Sequence, residues 1–210
     1  MVRKAQGGQP TVTQSREKQI RSFIAIPVPS EGIQALEQVV QDFDPKIGRD
    51  VPWVRPEGTH LTLKFMGNIP TGMVDKVLKA LPSVTVKFSP FELGITGLGA
   101  FLNLRNPRVL WAGLAGDLDE LSKLQLAVDD AVGDLGLPKE QRSFSPHLTL
   151  RRVRREASEA RLRKIAEVVA EGELASTPGW TATTVNLMRT ELDPAGSRHY
   201  LVGTANIGGG

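Results

Sequence analysis

The sequence predicts an α+β fold of two similar lobes, and three observations support this prediction. Short β-rich segments and amphipathic stripes follow one another as strand, helix, strand, helix, strands, helix, strand, helix, strands. Both halves of the chain share one outline, in which a strand is followed by an amphipathic helix and then by further strands. Both of these strands carry the letters His-Leu-Thr-Leu, at 60–63 and 147–150. We therefore expect a weak internal duplication, with a sheet backed by helices in each lobe.

Each element has its own local signal. Apolar or alternating segments predict strands at 22–28, 59–65, 147–153, 183–192 and 199–207, and two or three more within 86–114, where Gly and Pro mark turns. Four amphipathic stripes predict the helices, namely Ile33, Leu36, Val40 and Phe43, then Val74, Val77, Leu78 and Leu81, then Leu118, Leu121, Leu124, Val128, Val132 and Leu135, and last Leu162, Ile165 and Val169. Asp117 with Glu120 is typical of the start of the third helix.

The composition excludes several classes of protein. The chain has no cysteine, so disulfides, thiolate metal sites and a thiol nucleophile are excluded. The polar first nineteen residues do not resemble a signal peptide, and no apolar run reaches the ~18 residues of a membrane span. We expect a flexible arm at 1–19, one bilobal domain at 20–207 and a tail at 208–210. The protein is predicted to be a cytoplasmic monomer, and its formal charge of +3 suits a polyanionic substrate.

The repeated four letters place an imidazole and a hydroxyl on one face of each strand. Residues i and i+2 of a strand share a face, so His60 and Thr62 point one way, with Lys64 further along. On the same rule Leu61, Leu63 and Phe65 face the helices. In the second copy, His147 and Thr149 share the polar face, while Leu148 and Leu150 pack behind it.

Two imidazoles that meet across a cleft can catalyse proton transfer in both directions. Histidine gives and takes protons near neutral pH, so one ring can act as general base and the other as general acid. Threonine hydroxyls can donate hydrogen bonds to oxygens on which negative charge develops. A phosphodiester is a natural target, and the chemistry needs no metal or other cofactor. The chain has only three histidines, so two copies of the motif are difficult to attribute to accident.

The pair of motifs resembles the two-histidine (2H) phosphoesterases, and in particular the RNA 2′,3′-cyclic phosphodiesterases, also called 2′-5′ RNA ligases. The resemblance extends over about residues 20–203, through "RSFIAIPVP", "WVRPEGTHLTLKFMG", "LGAFLNLRNPRVLWAGL" and "LGLPKEQRSFSPHLTLRRV". It differs at Gly58-Thr59, where members often carry a bulkier apolar residue. This family has two antiparallel sheets about a pseudo-twofold axis, with helices outside and the histidines in a central cleft.

The resemblance implies a reaction and a set of site residues. A terminal 2′,3′-cyclic phosphate on RNA would be opened to a 2′-phosphomonoester, with 2′-5′ joining as the reverse reaction. His60 and His147 would be the acid/base pair, with His147 activating water and His60 protonating the leaving oxygen, an order that the sequence does not fix. Thr62 and Thr149 would bind phosphate.

Three further residues are candidates for substrate binding. The family uses an arginine just after the second motif, which corresponds to Arg152, although simple alternation from His147 would put Arg151 in the cleft unless a bulge intervenes. Phe23 is predicted either to stack on the terminal base of the RNA or to pack in the core. Arg142 is predicted either to contact phosphate or to hold a loop. His199 lacks the motif, so we expect it to be structural or exposed.

The 3′ ends of RNA, such as tRNA fragments, are the predicted partners, and two alternatives stay open. The same site could act on a small cyclic nucleotide or an ADP-ribose cyclic phosphate, or cut a 2′-5′ linkage. A non-catalytic RNA-binding protein could use the cleft only to hold phosphate. A metallo-phosphodiesterase and a serine hydrolase are disfavoured, because the sequence shows neither a cluster with metal-ligand spacing nor a G-x-S-x-G elbow.

Overall fold

Strands and helices alternate in the predicted order. The computed structural model describes residues 17–47, 58–101, 107–154, 156–174, 176–193 and 196–208. The strands are β1 (Gln19–Pro27), β2 (His60–Pro70), β3 (Phe91–Phe101), β4 (Val109–Gly116), β5 (Leu148–Arg152), β6 (Gly179–Ala182), β7 (Thr184–Asp193) and β8 (Gly196–Asn206). The helices are α1 (Ser30–Ile47), α2 (Thr71–Thr85), α3 (Leu118–Asp134) and α4 (Glu159–Glu171). The short strand β6 is the element that the sequence pattern did not indicate.

Most residues of the predicted stripes are buried in the core or pack against it, but Ile33 and Val40 of α1 are only partly buried and are not part of it. In α1 the buried residue between Leu36 and Phe43 is Val39 rather than Val40.

Helix α3 begins directly after Asp117, as predicted. The Asp117 carboxylate does not cap its own helix, however, because it accepts a hydrogen bond from the backbone N–H of Glu92, at 2.9 Å.

All strand pairings are antiparallel, in the order β6-β3-β4-β5-β2-β1-β7-β8. The sheet consists of two four-stranded halves, which meet where β2 lies beside β5. Within the described residues this junction is a single pair, Leu61 opposite Leu148. The predicted α+β class is confirmed, with a curled antiparallel sheet and four helices packed against it.

The helix layer also joins the first and second halves of the chain. Helix α2 packs on α3 and α1 packs on α4, so each helix of the first half contacts one from the second. Buried aliphatic side chains from both halves form one continuous core between the helices and the sheet. This layer covers one face of the sheet and leaves the face that carries both histidines open to ligands. None of the described helices is both long and apolar enough to cross a membrane.

The end of the predicted N-terminal arm is bound to the fold. Strand β1 already begins at Gln19. The carbonyl oxygen of Lys18 accepts hydrogen bonds from the backbone N–H and the hydroxyl of Thr71. The Glu17 carboxylate accepts from the backbone of Gly72. Residues 1–16 of the predicted arm, and residues 209–210 of the predicted tail, lie outside the described residues.

Lys64 faces the helices rather than the cleft, which corrects the prediction from alternation. Its ammonium lies 2.5 Å from the Asp129 carboxylate of α3, and both side chains are below a tenth exposed. It also donates to the carbonyl of Pro138, at 2.7 Å, and Asp129 accepts from the backbone N–H of Glu140. The pair therefore connects β2 to the loop that leads to His147.

We expect Lys64→Met to lower the free energy of unfolding by about 3 kcal/mol, because it leaves the Asp129 carboxylate buried without its cation. Urea unfolding at pH 7 measures this change. Lys139→Met is the matched control, since Lys139 pairs with Asp130 in solvent, and it should lower the free energy of unfolding far less than Lys64→Met does. Equal costs for the two variants would contradict a structural role for the buried pair.

Candidate active site

The junction between the two half-sheets brings both motifs together. Leu61 and Leu148 are the second residues of the two motifs, and they lie opposite each other with their side chains fully buried. Side chains alternate across a sheet, so the residues on either side of each leucine point to the opposite face. His60 and Thr62 therefore share that face with His147 and Thr149.

A short hydrogen bond fixes each imidazole. His60 Nδ1 lies 2.6 Å from the carbonyl oxygen of Gly58, and His147 Nδ1 lies 2.8 Å from the carbonyl oxygen of Ser145. A carbonyl only accepts, so Nδ1 carries the proton in both rings. In the neutral form Nε2 of each ring is then left with a lone pair, which suits it to accept a proton or, once charged, to donate one.

A β-bulge lies at the last leucine of both motifs. In β2, Thr62 lies opposite Ala25 and Lys64 opposite Ile24, so Leu63 is an extra residue in the ladder. In β5, Thr149 lies opposite Trp111 and Arg151 opposite Leu110, so Leu150 is the extra residue there. A bulge of this kind reverses the alternation beyond it.

The bulges determine which side chain near the end of each motif points away from the helices. Lys64 and Arg151 turn to the buried side, at 5% and 0% exposed, while Phe65 and Arg152 turn to the exposed side. Simple alternation would place Arg151 in the cleft, and that prediction is thus wrong. The Arg152 guanidinium is close enough to lower the pKa of both histidines. The second motif therefore contributes a cation to the cleft, and the first contributes the Phe65 ring at the corresponding position.

Burial dominates the electrostatics of the two histidines. It lowers the pKa of His60 to about 4, with smaller contributions from His199, His147 and Arg152, although the hydrogen bond to Gly58 acts in the opposite direction. Burial also lowers the pKa of His147, assisted by Arg152 and opposed by the bond to Ser145. Both imidazoles are consequently neutral at pH 7 in the free protein.

Aromatic side chains support both imidazoles. The Phe23 ring stacks on His60, with ring centroids 4.3 Å apart and planes 25° apart. Phe101 meets His147 edge to face at 4.6 Å. Phe23 is only 2% exposed, so its ring is covered by protein and does not offer a free face to an RNA base. Of the two predicted roles for Phe23, packing is the one that this geometry fits.

Arg142 lies apart from the paired histidines. Its side chain is 89% exposed and its Nε lies 3.4 Å from the Glu140 carboxylate. It does not contribute to the pKa of either histidine of the motifs, whereas Arg152 contributes to both. Of the two predicted roles for Arg142, holding the loop before His147 is the one that this position fits.

His199 is a residue that the sequence pattern did not place at the site. Its ring meets His60 edge to face, with centroids 5.1 Å apart, and meets Phe23 in the same way at 5.0 Å. His60 and His199 together line a cavity of about 230 Å³, whose floor includes Ala25 and Asn186. The strand order β1-β7-β8 brings His199 there, and alternation within one strand cannot indicate such a contact.

The arrangement offers two proton-transfer groups, two hydroxyls and a guanidinium on one face. Thr62 and Thr149 are half-buried, and neither hydroxyl has a hydrogen-bond partner among the described residues, so both hydroxyls are available to a ligand. Such a set can bind an anion and move protons on both sides of it. In the described part of the chain, no group of three or more His, Cys, Asp or Glu side chains could hold a metal ion.

Comparison with known proteins identifies the family. A model described as LigT-like phosphoesterase matches residues 26–111 and 114–198. The chain belongs to this family. The RNA 2′,3′-cyclic phosphodiesterase of Methanothermobacter thermautotrophicus is 31% identical over 177 residues, which are 84% of this chain and 93% of the relative. The similarly named protein of Archaeoglobus fulgidus is 29% identical over 84% of this chain and 94% of its own.

Solved structures support the fold. A protein of Thermus thermophilus matches with a TM-score of 0.72 and 25% identity, over 90% of this chain and 98% of its own. Escherichia coli LigT in complex with 3′-AMP matches with a TM-score of 0.71 over 90% of this chain and 99% of its own. At 21% identity, this second match supports the fold alone. The predicted membership of the 2H phosphoesterases is confirmed, and the chain is a phosphoesterase.

The lowered pKa of His60 predicts a pH-dependent contribution to the stability of this phosphoesterase. Between its ordinary value of 6.5 and about 4, the unfolded chain binds a proton at this position that the folded chain does not. The free energy of unfolding should therefore fall as the pH falls through this window, by up to roughly 3 kcal/mol from His60. We expect His60→Asn to remove that part of the fall.

Urea unfolding of the wild type and His60→Asn at pH 8 and at pH 4.5 measures this contribution. Any cost of the substitution that does not involve protons appears equally at both pH values, so the pH 8 comparison is the internal control. A difference between the two proteins that is the same at both pH values would contradict a depressed pKa at His60.

Proposed function

We propose that this phosphoesterase hydrolyses the terminal 2′,3′-cyclic phosphate of RNA to a 2′-phosphomonoester. The observation that carries the proposal is the pair of imidazoles from separate halves of the chain, each held through Nδ1 and flanked by a threonine hydroxyl on one sheet face. The names of the relatives support the choice of substrate. The 3′ ends of RNA are then the partners of the cleft.

Each step of the proposed reaction has a group to perform it. The base imidazole removes a proton from water as the water oxygen attacks phosphorus. The bond between phosphorus and O3′ breaks, and the acid imidazole gives its proton to O3′. Thr62 and Thr149 donate hydrogen bonds to the non-bridging oxygens, and the Arg152 guanidinium neutralises the charge that develops on them. Phe23 and Arg142 have no part in this scheme.

The lowered pKa values favour the opposite assignment of base and acid from the one expected from the sequence. His60, with a pKa of about 4, is the weaker acceptor but is almost wholly neutral at pH 7, and this is the state a base needs. His147 has the smaller depression, so it holds a proton more readily and is better suited to be the acid. We therefore assign His60 as base and His147 as acid.

Joining of two RNA ends would use the same two groups. If a 5′-hydroxyl of a second RNA replaces water as the attacking group, the same bond to O3′ breaks and a 2′-5′ phosphodiester forms. The base then removes the proton of the 5′-hydroxyl instead of a proton of water. Joining therefore belongs to the same proposal, and its extent depends on the competition between water and the 5′-hydroxyl for one phosphorus atom.

Incubation with a 5′-labelled oligoribonucleotide that ends in a 2′,3′-cyclic phosphate tests the proposed function. The expected product carries a 2′-phosphomonoester, which a 3′-specific phosphatase leaves intact. His60→Ala and His147→Ala should each reduce turnover by about 10²- to 10⁴-fold, since each removes one proton-transfer group. Turnover should also survive excess EDTA, because the two imidazoles supply the acid and the base.

Other results would point to the alternatives. A 3′-phosphomonoester product would mean that the bond to O2′ is the one that breaks. Cleavage of mononucleoside 2′,3′-cyclic phosphates without cleavage of RNA would favour a small-nucleotide phosphodiesterase. RNA binding without any turnover, unchanged in His60→Ala, would favour a non-catalytic RNA-binding protein.

The division of labour between the histidines needs a separate experiment, because both assignments give the same bell-shaped pH profile. A nucleoside 4-nitrophenyl phosphodiester has a leaving group that departs without a proton. On this substrate the loss in His147→Ala should shrink to about tenfold or less, whereas the loss in His60→Ala should persist. Rescue of His60→Ala instead of His147→Ala would restore the order expected from the sequence.

A further inference from the structure

The third histidine of the chain completes a cluster of three rings that includes the proposed base. Phe23 and His60 lie face to face, and the His199 plane stands at 84° to the first ring and 86° to the second. His199 thus meets the edge of a stacked pair, an arrangement that aromatic rings favour. By contrast, Phe101 is the ring that the described residues place against His147.

The His199 ring is itself held in place. Its Nδ1 lies 3.0 Å from the hydroxyl of Thr190, which is the residue opposite it in the pairing of β7 with β8. This bond leaves the rest of the ring to reach toward His60, past β7 and β1, which lie between β8 and β2 in the sheet. Because two strands and one hydrogen bond define its position, His199 is a rigid neighbour of His60.

Gly58 provides the space that the His199 ring occupies. A Cβ atom at position 58 would lie 3.3 Å from Cδ2 of His199, closer than ordinary van der Waals contact. The same glycine supplies the carbonyl that accepts from His60 Nδ1. Position 58 thus accommodates His199 and orients His60 at the same time.

We propose that His199 is a positioning residue for His60, which packs against the edge of the Phe23–His60 stack and keeps His60 Nε2 aimed at the attacking water. The hydrogen bond at Nδ1 leaves His60 free to tilt about one axis, and the ring of His199 blocks that tilt. His199 also closes one wall of the cavity beside His60, so it limits the access of water to that imidazole. It takes no proton in the reaction.

This role rests on the proposed function for its kinetic consequences, though not for its geometry. His199→Ala should lower kcat by about tenfold with little change in KM, since misalignment of a proton-transfer group lowers the rate of the chemical step. His199→Phe keeps a ring in the same place and should restore most of kcat. Leu201→Ala, at an exposed position of the same strand, is the control and should behave as the wild type.

A measurement without substrate separates this inference from the proposed function. The groups that act on the charge of His60 are His199 from β8 and His147 and Arg152 from the second motif. Proton NMR can follow the three imidazole signals of the chain through a pH titration. In His199→Ala the pKa of His60 should rise toward 6.5, since water enters beside it, whereas His199→Phe should keep it low.

The outcomes are distinct. A wild type that does not open the cyclic phosphate removes the proposed function, and the titration still decides the role of His199. If His60 titrates identically in the wild type and in His199→Ala, and kcat is also unchanged, His199 does not position His60. Equal losses of kcat in the Ala and Phe variants would assign His199 a proton-transfer role and overturn the inference. A rise in KM alone would assign it to substrate binding and would also overturn it.

Discussion

One strand pairing, Leu61 opposite Leu148, determines the geometry of the whole site. The two leucines are fully buried, and this pair joins the half-sheets within the described residues. A slip of one residue in either strand would move that strand's histidine and threonine to the helix side. Burial of the two leucines therefore specifies the register, and the register places both imidazoles on one face. In this molecule the apolar core and the placement of both imidazoles depend on the same contact.

The bulges give the two copies of the motif different functions. Each bulge turns one cation inward and the next side chain outward, but the outward residue is Phe65 in the first copy and Arg152 in the second. The inward Lys64 binds Asp129 and Pro138 and so holds the segment that leads to His147. The first copy thus supports the position of the second histidine, while the second copy supplies the cation to the cleft.

The sequence was sufficient for the fold class and for the histidine pair, because periodicity and a repeated motif are local signals. It did not predict that Lys64 faces the helices, since a bulge depends on how two strands pair and not on the composition of one. The contact of His199 with His60 depends on the order of strands that are distant in the sequence. Phe23 stayed ambiguous because an apolar residue in a strand can face either the core or a ring on the other face.

The charges around His60 explain why the site is suited to an anion. Burial is the largest cause that disfavours a proton on His60, and His199, His147 and Arg152 add smaller contributions to the lowered pKa. In the empty cleft the Arg152 cation therefore faces neutral imidazoles. In the proposed complex a bound phosphate carries the opposite charge, so it would raise the pKa of both histidines and allow His147 to take up a proton. In the proposed reaction, substrate binding would therefore itself generate the acid, beside a base that burial keeps neutral.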